Sequence, residues 1–220
     1  MSSTPYNPAD HVDVDVTPAL TQRNRLTCAF RLILAIPHIL LVGGPIAFAG
    51  SYAWGSGDQS HVEWGAGTGV LGAVATVIAI IAWFAIVFGG RFPEQLWNLS
   101  AFYLRWRVRA IAYLTLLRDE YPPFGDGPYP AALVLTPPTT PRNRLTVAFR
   151  LILAIPQFIC VGFLGVAWGF TTFIAWLAII FSGTYPRGLY DFGVGVLRWS
   201  TRVEAYTLLL RDEYPPFSLS

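Results

Sequence analysis

The sequence has few charged residues and no lysine. Charged side chains make up 13% of its 220 residues, and all 15 basic residues are arginine, whereas an ordinary soluble domain carries about 25% charged residues. Hydrophobic residues reach 54% and the mean hydropathy is +0.48. This apolar content excludes an intrinsically disordered chain, and the low charge excludes an ordinary water-soluble surface. The composition therefore predicts an integral membrane protein.

The sequence also lacks the motifs of catalytic and cofactor sites. Its two cysteines, Cys28 and Cys160, form neither a disulfide framework nor a CxxC pair. It contains no HExxH, P-loop, nucleophile elbow or Cys/His cluster. Asp58, His61 and Glu63 lie together, but three polar residues in a Gly-rich loop are more often solvated than bound to a cation. We therefore expect no enzymatic activity, no catalytic residues, no cofactor, no metal and no nucleic-acid partner.

The chain contains an internal duplication. FRLILAIP recurs 119 positions later, beginning at Phe30 and again at Phe149, and the RNRLT motif before it recurs at the same spacing. LRDEYPPF recurs only 93 positions later, beginning at Leu117 and again at Leu210. The first copy therefore holds 26 additional residues between these blocks. We predict a disordered amino terminus at 1–9, a first repeat at 10–124, a Gly- and Pro-rich linker at 125–130 and a second repeat at 131–220.

Long uncharged stretches in each repeat match membrane-spanning helices, which need about 20 apolar residues. The first repeat has two such stretches. In the second repeat, 151–185 is uncharged throughout, and we expect it to break near 165–169 into two short spans. The predicted spans are 29–53, 65–90, 148–166 and 168–184.

An arginine-bearing stretch follows each predicted pair of spans. Residues 93–117 and 186–210 open with Pro and close before Pro-Pro, as helices do. Their charges are too frequent for a span, but apolar residues follow helical spacing on one face, so we predict amphipathic helices in the inner leaflet. Short strands at 12–16 and 131–135 precede the two repeats, and each could pair with its counterpart or with a YPPF segment.

The predicted fold class is therefore an all-α integral membrane protein with two tandem repeats. Each repeat is a transmembrane helical hairpin followed by an amphipathic interfacial helix, with a short β-strand leading it. Every arginine lies outside the predicted hairpin turns, which places both termini in the cytoplasm of a multi-pass protein. The outer turn at 51–64 then faces the other side. The repeats would be related by an axis roughly normal to the membrane, as in a fused homodimer.

The candidate binding residues are arginines and two intramembrane polar residues. As functional sites the arginines would hold lipid phosphates, and as structural residues they would snorkel. Arg31 and Arg150 would snorkel too, or pair with the acidic residues of the RDEYPPF segments. The lipid-phosphate candidates are Arg31, Arg105, Arg109, Arg150, Arg198 and Arg202.

His38 and Gln157 each follow a proline inside a predicted span. An intramembrane histidine could relay protons or bind a head group. Gln157 occupies the matching position and cannot titrate. We therefore favour a structural role, in which both side chains bind backbone groups freed by the proline or a neighbouring helix.

The matched strings, above all GVLRWSxRVxAYxLLLRDEYPPF at 195–217, resemble DUF4389, a bacterial and mainly actinobacterial membrane family of unknown function. The resemblance covers both repeats. It implies this architecture and a location in the bacterial plasma membrane, and it carries no catalytic residues.

Two functions remain open from the sequence. The leading hypothesis is a non-enzymatic accessory or scaffold protein of the bacterial plasma membrane, which associates with a larger membrane complex or itself and with anionic phospholipids. The alternative is a small transporter or channel subunit that moves a lipid or small solute, with a passage lined by His38 and Gln157.

Overall fold

A computed structural model of the chain describes residues 12–45, 51–52, 62–63, 69–138 and 142–220. The predicted disordered residues 1–9 lie outside this part. The described elements, in chain order, are β1 (Val12–Val16), α1 (Arg25–Ala29), α2 (Arg31–Val42), β2 (Ser51–Tyr52), β3 (Val62–Glu63), α3 (Gly69–Gly89), α4 (Glu94–Leu114), β4 (Ala131–Leu135), α5 (Arg144–Ala148), α6 (Arg150–Ser182) and α7 (Arg187–Thr207).

The strands that lead the two repeats pair with each other. β1 and β4 form an antiparallel ribbon in which Val14 lies opposite Leu133. These two residues occupy equivalent repeat positions, 119 apart, so a pseudo-twofold axis passes through the centre of the ribbon. Along β1 the valines are buried, whereas Asp13 and Asp15 are exposed. The predicted strands are confirmed, and of the two pairings that the sequence left open the structure shows the strands paired with each other.

The second repeat contains one long helix where the sequence predicted a hairpin. α6 runs without interruption for 33 residues, about 50 Å at 1.5 Å per residue. The predicted break at 165–169 is wrong. Gly165 and Gly169 lie inside the helix, where the backbone hydrogen bonds remain satisfied, whereas a turn would leave several of these groups without partners.

The long helix of the first repeat is the same structure with an insertion. α2 and α3 have 12 and 21 residues, together as many as α6. Val42 and Gly69 correspond to the adjacent Val161 and Gly162. A Cβ on Gly69, whose φ is +70°, would lie 2.6 Å from the carbonyl carbon of Leu41, so α3 begins where α2 ends.

The 26 additional residues, 43–68, therefore lie in the sequence between the two halves of the long helix. α2 and α3 are successive segments of one helix, and the predicted hairpin of spans 29–53 and 65–90 is wrong in the described residues. β2 and β3 pair within the additional residues. Asp58 and His61 lie outside the described residues, as does the side chain of Glu63.

The predicted amphipathic helices form, but they lie in the interior. α4 packs against α2 and α3, and α7 packs against α6. The ribbon covers their other side, where Arg198 Nε donates to the carbonyl of Val14 at 2.9 Å. The next residue, Trp199, faces α6. The fold therefore has three layers. α4 and α7 form the middle layer, with the ribbon on one side of it and the long helices on the other.

The middle helices run antiparallel to each other and to the long helices. Trp97 Nε1, near the start of α4, donates to the carbonyl of Leu210, just after α7. At the far end of each long helix the repeats exchange contacts. Trp83 Nε1 donates to the Val147 carbonyl at 3.1 Å, and the equivalent Trp176 Nε1 donates to the Cys28 carbonyl at 3.2 Å.

Arg107 binds the point where the first long helix is interrupted. Its Nη2 donates to the Gly44 carbonyl at 2.7 Å and its Nη1 to that of Val42, at the carboxyl end of α2. Its Nε donates to Glu204 Oε2 across the repeats at 2.8 Å. The interrupted helix leaves carbonyls that need donors. The second repeat has Ser200 at the position equivalent to Arg107, and its uninterrupted helix leaves no such carbonyls there.

Deleting residues 43–68 should join α2 directly to α3. The deletion removes the Gly44 carbonyl and gives that of Val42 a helical partner. We therefore expect the free energy of unfolding to fall by about 1–3 kcal/mol, because Arg107 loses buried acceptors. Thermal unfolding followed by tryptophan fluorescence in mild detergent measures the change.

The second repeat supplies the control. The deletion variant is combined with Arg107→Ser and Glu204→Ile, which introduce the residue found at the equivalent position of the other repeat. These two substitutions remove both buried charges. Tyr103→Phe removes the hydroxyl that donates to Glu204. We expect these substitutions to recover most of the lost stability. A combined variant less stable than the deletion alone would contradict this account.

Candidate functional site

Arg31 and Arg150 are buried at equivalent positions and bind the carboxyl ends of the middle helices. Arg31 Nη1 donates to the carbonyls of Tyr113 and Arg118, at 3.0 and 2.5 Å, and its guanidinium lies 4.2 Å from the Tyr113 ring centroid. Arg150 repeats this geometry on the carbonyls of Tyr206 and Arg211, at 3.1 and 2.6 Å. A positive charge at the carboxyl end of a helix also interacts favourably with the helix dipole.

An aspartate neutralises each of these arginines. Arg31 Nη2 donates to Asp119 Oδ1 at 2.5 Å, and Arg150 Nη2 to Asp212 Oδ1 at 2.7 Å. The predicted pairing with the RDEYPPF acids is confirmed for these two residues. Each aspartate binds a second arginine, Arg23 or Arg142, from the segment before the repeat's first helix.

The backbone at these sites is strained in both repeats. Leu116 and Leu209 have φ of +66° and +62°, in the left-handed region that disfavours branched side chains. Both side chains are buried. The turn brings the carbonyls of residues 118 and 211 back to the arginines, so the strain belongs to the binding geometry.

His38 and Gln157 have the same structural role. Trp106 Nε1 donates to His38 Nδ1 at 3.1 Å, and the equivalent Trp199 Nε1 donates to Gln157 Oε1 at 2.7 Å. Gln157 Nε2 also donates to the Pro215 carbonyl of the second YPPF segment at 2.6 Å. The ring of His38 stacks on that of Phe124 in the first YPPF segment, with the ring centroids 4.6 Å apart. Each residue is enclosed within its own repeat, and the predicted binding to a neighbouring helix is confirmed.

The remaining predicted lipid-phosphate residues also have protein partners. Arg105 binds Asp126 through two nitrogens, and Arg109 Nη1 donates to the Gly125 carbonyl at 2.7 Å. Arg198 binds β1, and Arg202 binds carbonyls of the carboxyl-terminal residues. All six predicted arginines therefore hold the protein together, and the structure does not gather them into one basic face.

Sequence reasoning missed three exposed arginines at the ends of the long helices. Arg25 lies over the carboxyl end of α6, where its guanidinium would be 3.4 Å from a Cβ on Gly183. Arg144 lies in the same way over Gly90, beside Arg91. Within the described residues these arginines form no ion pair. Arg25 and Arg144 belong to the RNRLT motifs and Arg91 precedes Phe92-Pro93. All three lie outside the predicted amphipathic stretches, so no pattern in the sequence singled them out.

The outer surface of the long helices is apolar. We call it the apolar face, and it comprises the exposed side chains of α1, α2, α3, α5 and α6. Only 28% and 22% of the most apolar windows of α3 and α6 are buried, which is unlike the core helix of a soluble protein. The large exposed residues of the apolar face include Leu32, Ile33, Leu40, Val77, Ile80, Phe84, Phe88, Leu151, Ile159, Phe163, Phe170, Phe173 and Phe181.

Some acidic residues outside the aspartate sites also have basic partners. Arg118 binds Glu120 through two nitrogens. Burial raises the pKa of the Glu120 carboxyl, but the hydrogen bonds and charge of Arg118 and the backbone amides of Glu120 and Asp119 together outweigh it, so the net pKa lies below its ordinary value. Within the described part of the chain, no group of three His, Cys, Asp or Glu residues is arranged to hold a metal ion.

The fold is a mostly helical, duplicated chain with two helices, α3 and α6, long and apolar enough to cross a membrane. The family model described as "Domain of unknown function (DUF4389)" matches residues 64–125 and 144–218, one segment in each repeat, and the chain belongs to this family. Searches of the curated proteins and of the solved structures find no match.

The tryptophan contact predicts how His38 responds to substitution. His38→Gln should change the free energy of unfolding by less than about 1 kcal/mol, because an amide already accepts this bond in the other repeat. His38→Leu should cost about 1–3 kcal/mol, because the buried indole N–H loses its acceptor. Thermal unfolding of both variants measures this difference. A His38→Gln variant as unstable as His38→Leu would show that the imidazole does something an amide cannot.

Proposed function

We propose that the chain is a non-enzymatic integral membrane protein that serves as a scaffold or accessory subunit and binds anionic phospholipids. The observation that carries this proposal is the apolar face, which spans both repeats while most charged groups are paired internally. Monomeric soluble proteins rarely expose so much contiguous apolar surface. Lipid is the solvent that such a surface matches.

The exposed arginines support a preference for anionic lipid. Arg25 and Arg144 each precede a strongly exposed leucine, Leu26 or Leu145, which are 72% and 69% exposed. A leucine in the acyl region places its neighbouring guanidinium near the phosphates. Each basic residue at such a surface contributes on the order of 1 kcal/mol.

A scaffold role rests on rigidity and on the surface opposite the apolar face. The paired ribbon, the interlocked repeats and the internal ion pairs leave the outer side of the ribbon, with Asp13 and Asp15, free for another protein. The transporter alternative gains no support from the described residues, since His38 and Gln157 are enclosed separately. The proposed location is the plasma membrane, with the ribbon in the cytoplasm.

Purification in native nanodiscs, followed by mass spectrometry of every protein and lipid that accompanies the chain, tests the proposal. We expect a stoichiometric partner protein and enrichment of anionic phospholipid over the surrounding membrane. An isolated chain that carries one enriched neutral solute would overturn the scaffold role and favour transport.

The lipid preference has a matched control. Arg25→Gln and Arg144→Gln should each reduce the enrichment of anionic lipid about fivefold, as expected for about 1 kcal/mol. Arg105→Gln removes the same charge beside Asp126 and should leave the enrichment unchanged. Equal losses in all three variants would show that net charge, and not these positions, determines lipid binding.

A further inference from the structure

We infer that the apolar face enters a single leaflet, with α2, α3 and α6 parallel to the membrane plane and the ribbon in water. This inference rests on the proposed membrane attachment and specifies its geometry. The occupant of the apolar face is then the acyl region of one leaflet, bounded by anionic head groups.

Both ends of α6 lie against segments that come from the same ribbon. At its carboxyl end, the Arg23 amide donates to the Gly183 carbonyl at 3.1 Å, and the Tyr185 amide donates to that of Leu20 at 2.7 Å. These partners directly follow β1. The amino end of α6 follows β4 and α5, and Arg142 there binds Asp212. Both ends of α6 are therefore attached to segments that leave the same short ribbon.

The direction of the helices gives an independent argument. Along α2, Arg31 contacts Tyr113 and then His38 contacts Trp106, so α2 runs antiparallel to α4. α6 runs antiparallel to α7 in the same way, and α4 is antiparallel to α7. The pseudo-twofold axis that relates them is therefore perpendicular to the helices, and it passes through the ribbon.

This symmetry excludes a crossing orientation on physical grounds. If the helices crossed the bilayer, the axis would lie in the membrane plane and the ribbon would lie at mid-depth. Asp13 and Asp15 would then be exposed where lipid strongly disfavours carboxylates. If the axis lies along the membrane normal, the same residues face water.

The exposed residues of α6 fit an in-plane helix. They recur at helical spacing from one end of the helix to the other: Ile155, Ile159, Phe163, Val166, Phe170, Phe173, Leu177 and Phe181. A helix about 10–12 Å in diameter fits within one leaflet of about 15 Å of hydrocarbon. In-plane helices are known to bury an apolar face in this way.

Polar and aromatic residues border the apolar face. Arg25, Arg91 and Arg144 lie at its two ends, where they can reach phosphates. Tyr121 and Tyr214, each partly exposed, lie in the YPPF segments beside the long helices. Tyrosine at the boundary between acyl chains and water is common in membrane proteins.

Depth measurements along α6 test the inference. The background Cys28→Val and Cys160→Leu uses the residues of the opposite repeat. Single cysteines replace Ile155, Phe163, Phe170 or Phe181 and carry a nitroxide, and oxygen and nickel-chelate accessibility report its depth in phosphatidylcholine–phosphatidylglycerol vesicles. We expect the same shallow depth at all four positions. A profile that deepens to the bilayer centre and then becomes shallow again would overturn in-plane insertion.

Sidedness provides a second measurement on the same background. Asp15→Cys on the ribbon, Arg144→Cys before α6 and Arg187→Cys after it should all react with an impermeant maleimide from one side of sealed vesicles. Labelling of the last two from opposite sides would overturn the inference even if one depth variant failed to fold.

Extraction separates the two proposals. Release of the protein from membranes by alkaline carbonate would overturn the proposed membrane function itself. Cross-links between copies of the Phe170→Cys variant in the released fraction would then show that a second copy covers the apolar face. Protein retained after carbonate but with a crossing depth profile would overturn in-plane insertion alone.

Discussion

The fold depends on one arginine in each repeat that binds the carboxyl end of a buried helix. α4 and α7 end beneath the apolar helices, where unsatisfied carbonyls would be strongly unfavourable. Arg31 and Arg150 donate to those carbonyls and are themselves neutralised by Asp119 and Asp212. This arrangement lets two helices rich in charge lie between the ribbon and an apolar layer.

The distribution of polarity follows from that arrangement. Most charged side chains are paired in the middle layer, and apolar side chains cover the outside of the long helices. The buried ion pairs add little net stability compared with apolar residues, but losing one partner would leave an uncompensated charge. They therefore fix how the layers are placed more than they strengthen the fold.

Local signals in the sequence were sufficient for the repeats, the two leading strands and the helices α4 and α7, whereas the partner of each strand was left open. The break at 165–169 was wrong because an uncharged stretch of 35 residues is compatible with one long helix or two short ones, and glycine does not decide between them. The role of Arg107 was invisible because its partners lie at Val42, Gly44 and Glu204, far apart in the chain. The aspartate pairs were foreseeable because both repeats carry them at equivalent positions.

The tandem arrangement allows a contact that a symmetric dimer of single repeats would forbid. In such a dimer both copies of residue 107 would face each other near the twofold axis, and two buried guanidinium groups would repel. Within one chain the two positions can differ, and Arg107 in the first repeat corresponds to Ser200 in the second. The interrupted helix and its buried arginine are therefore possible because the two halves of this chain differ.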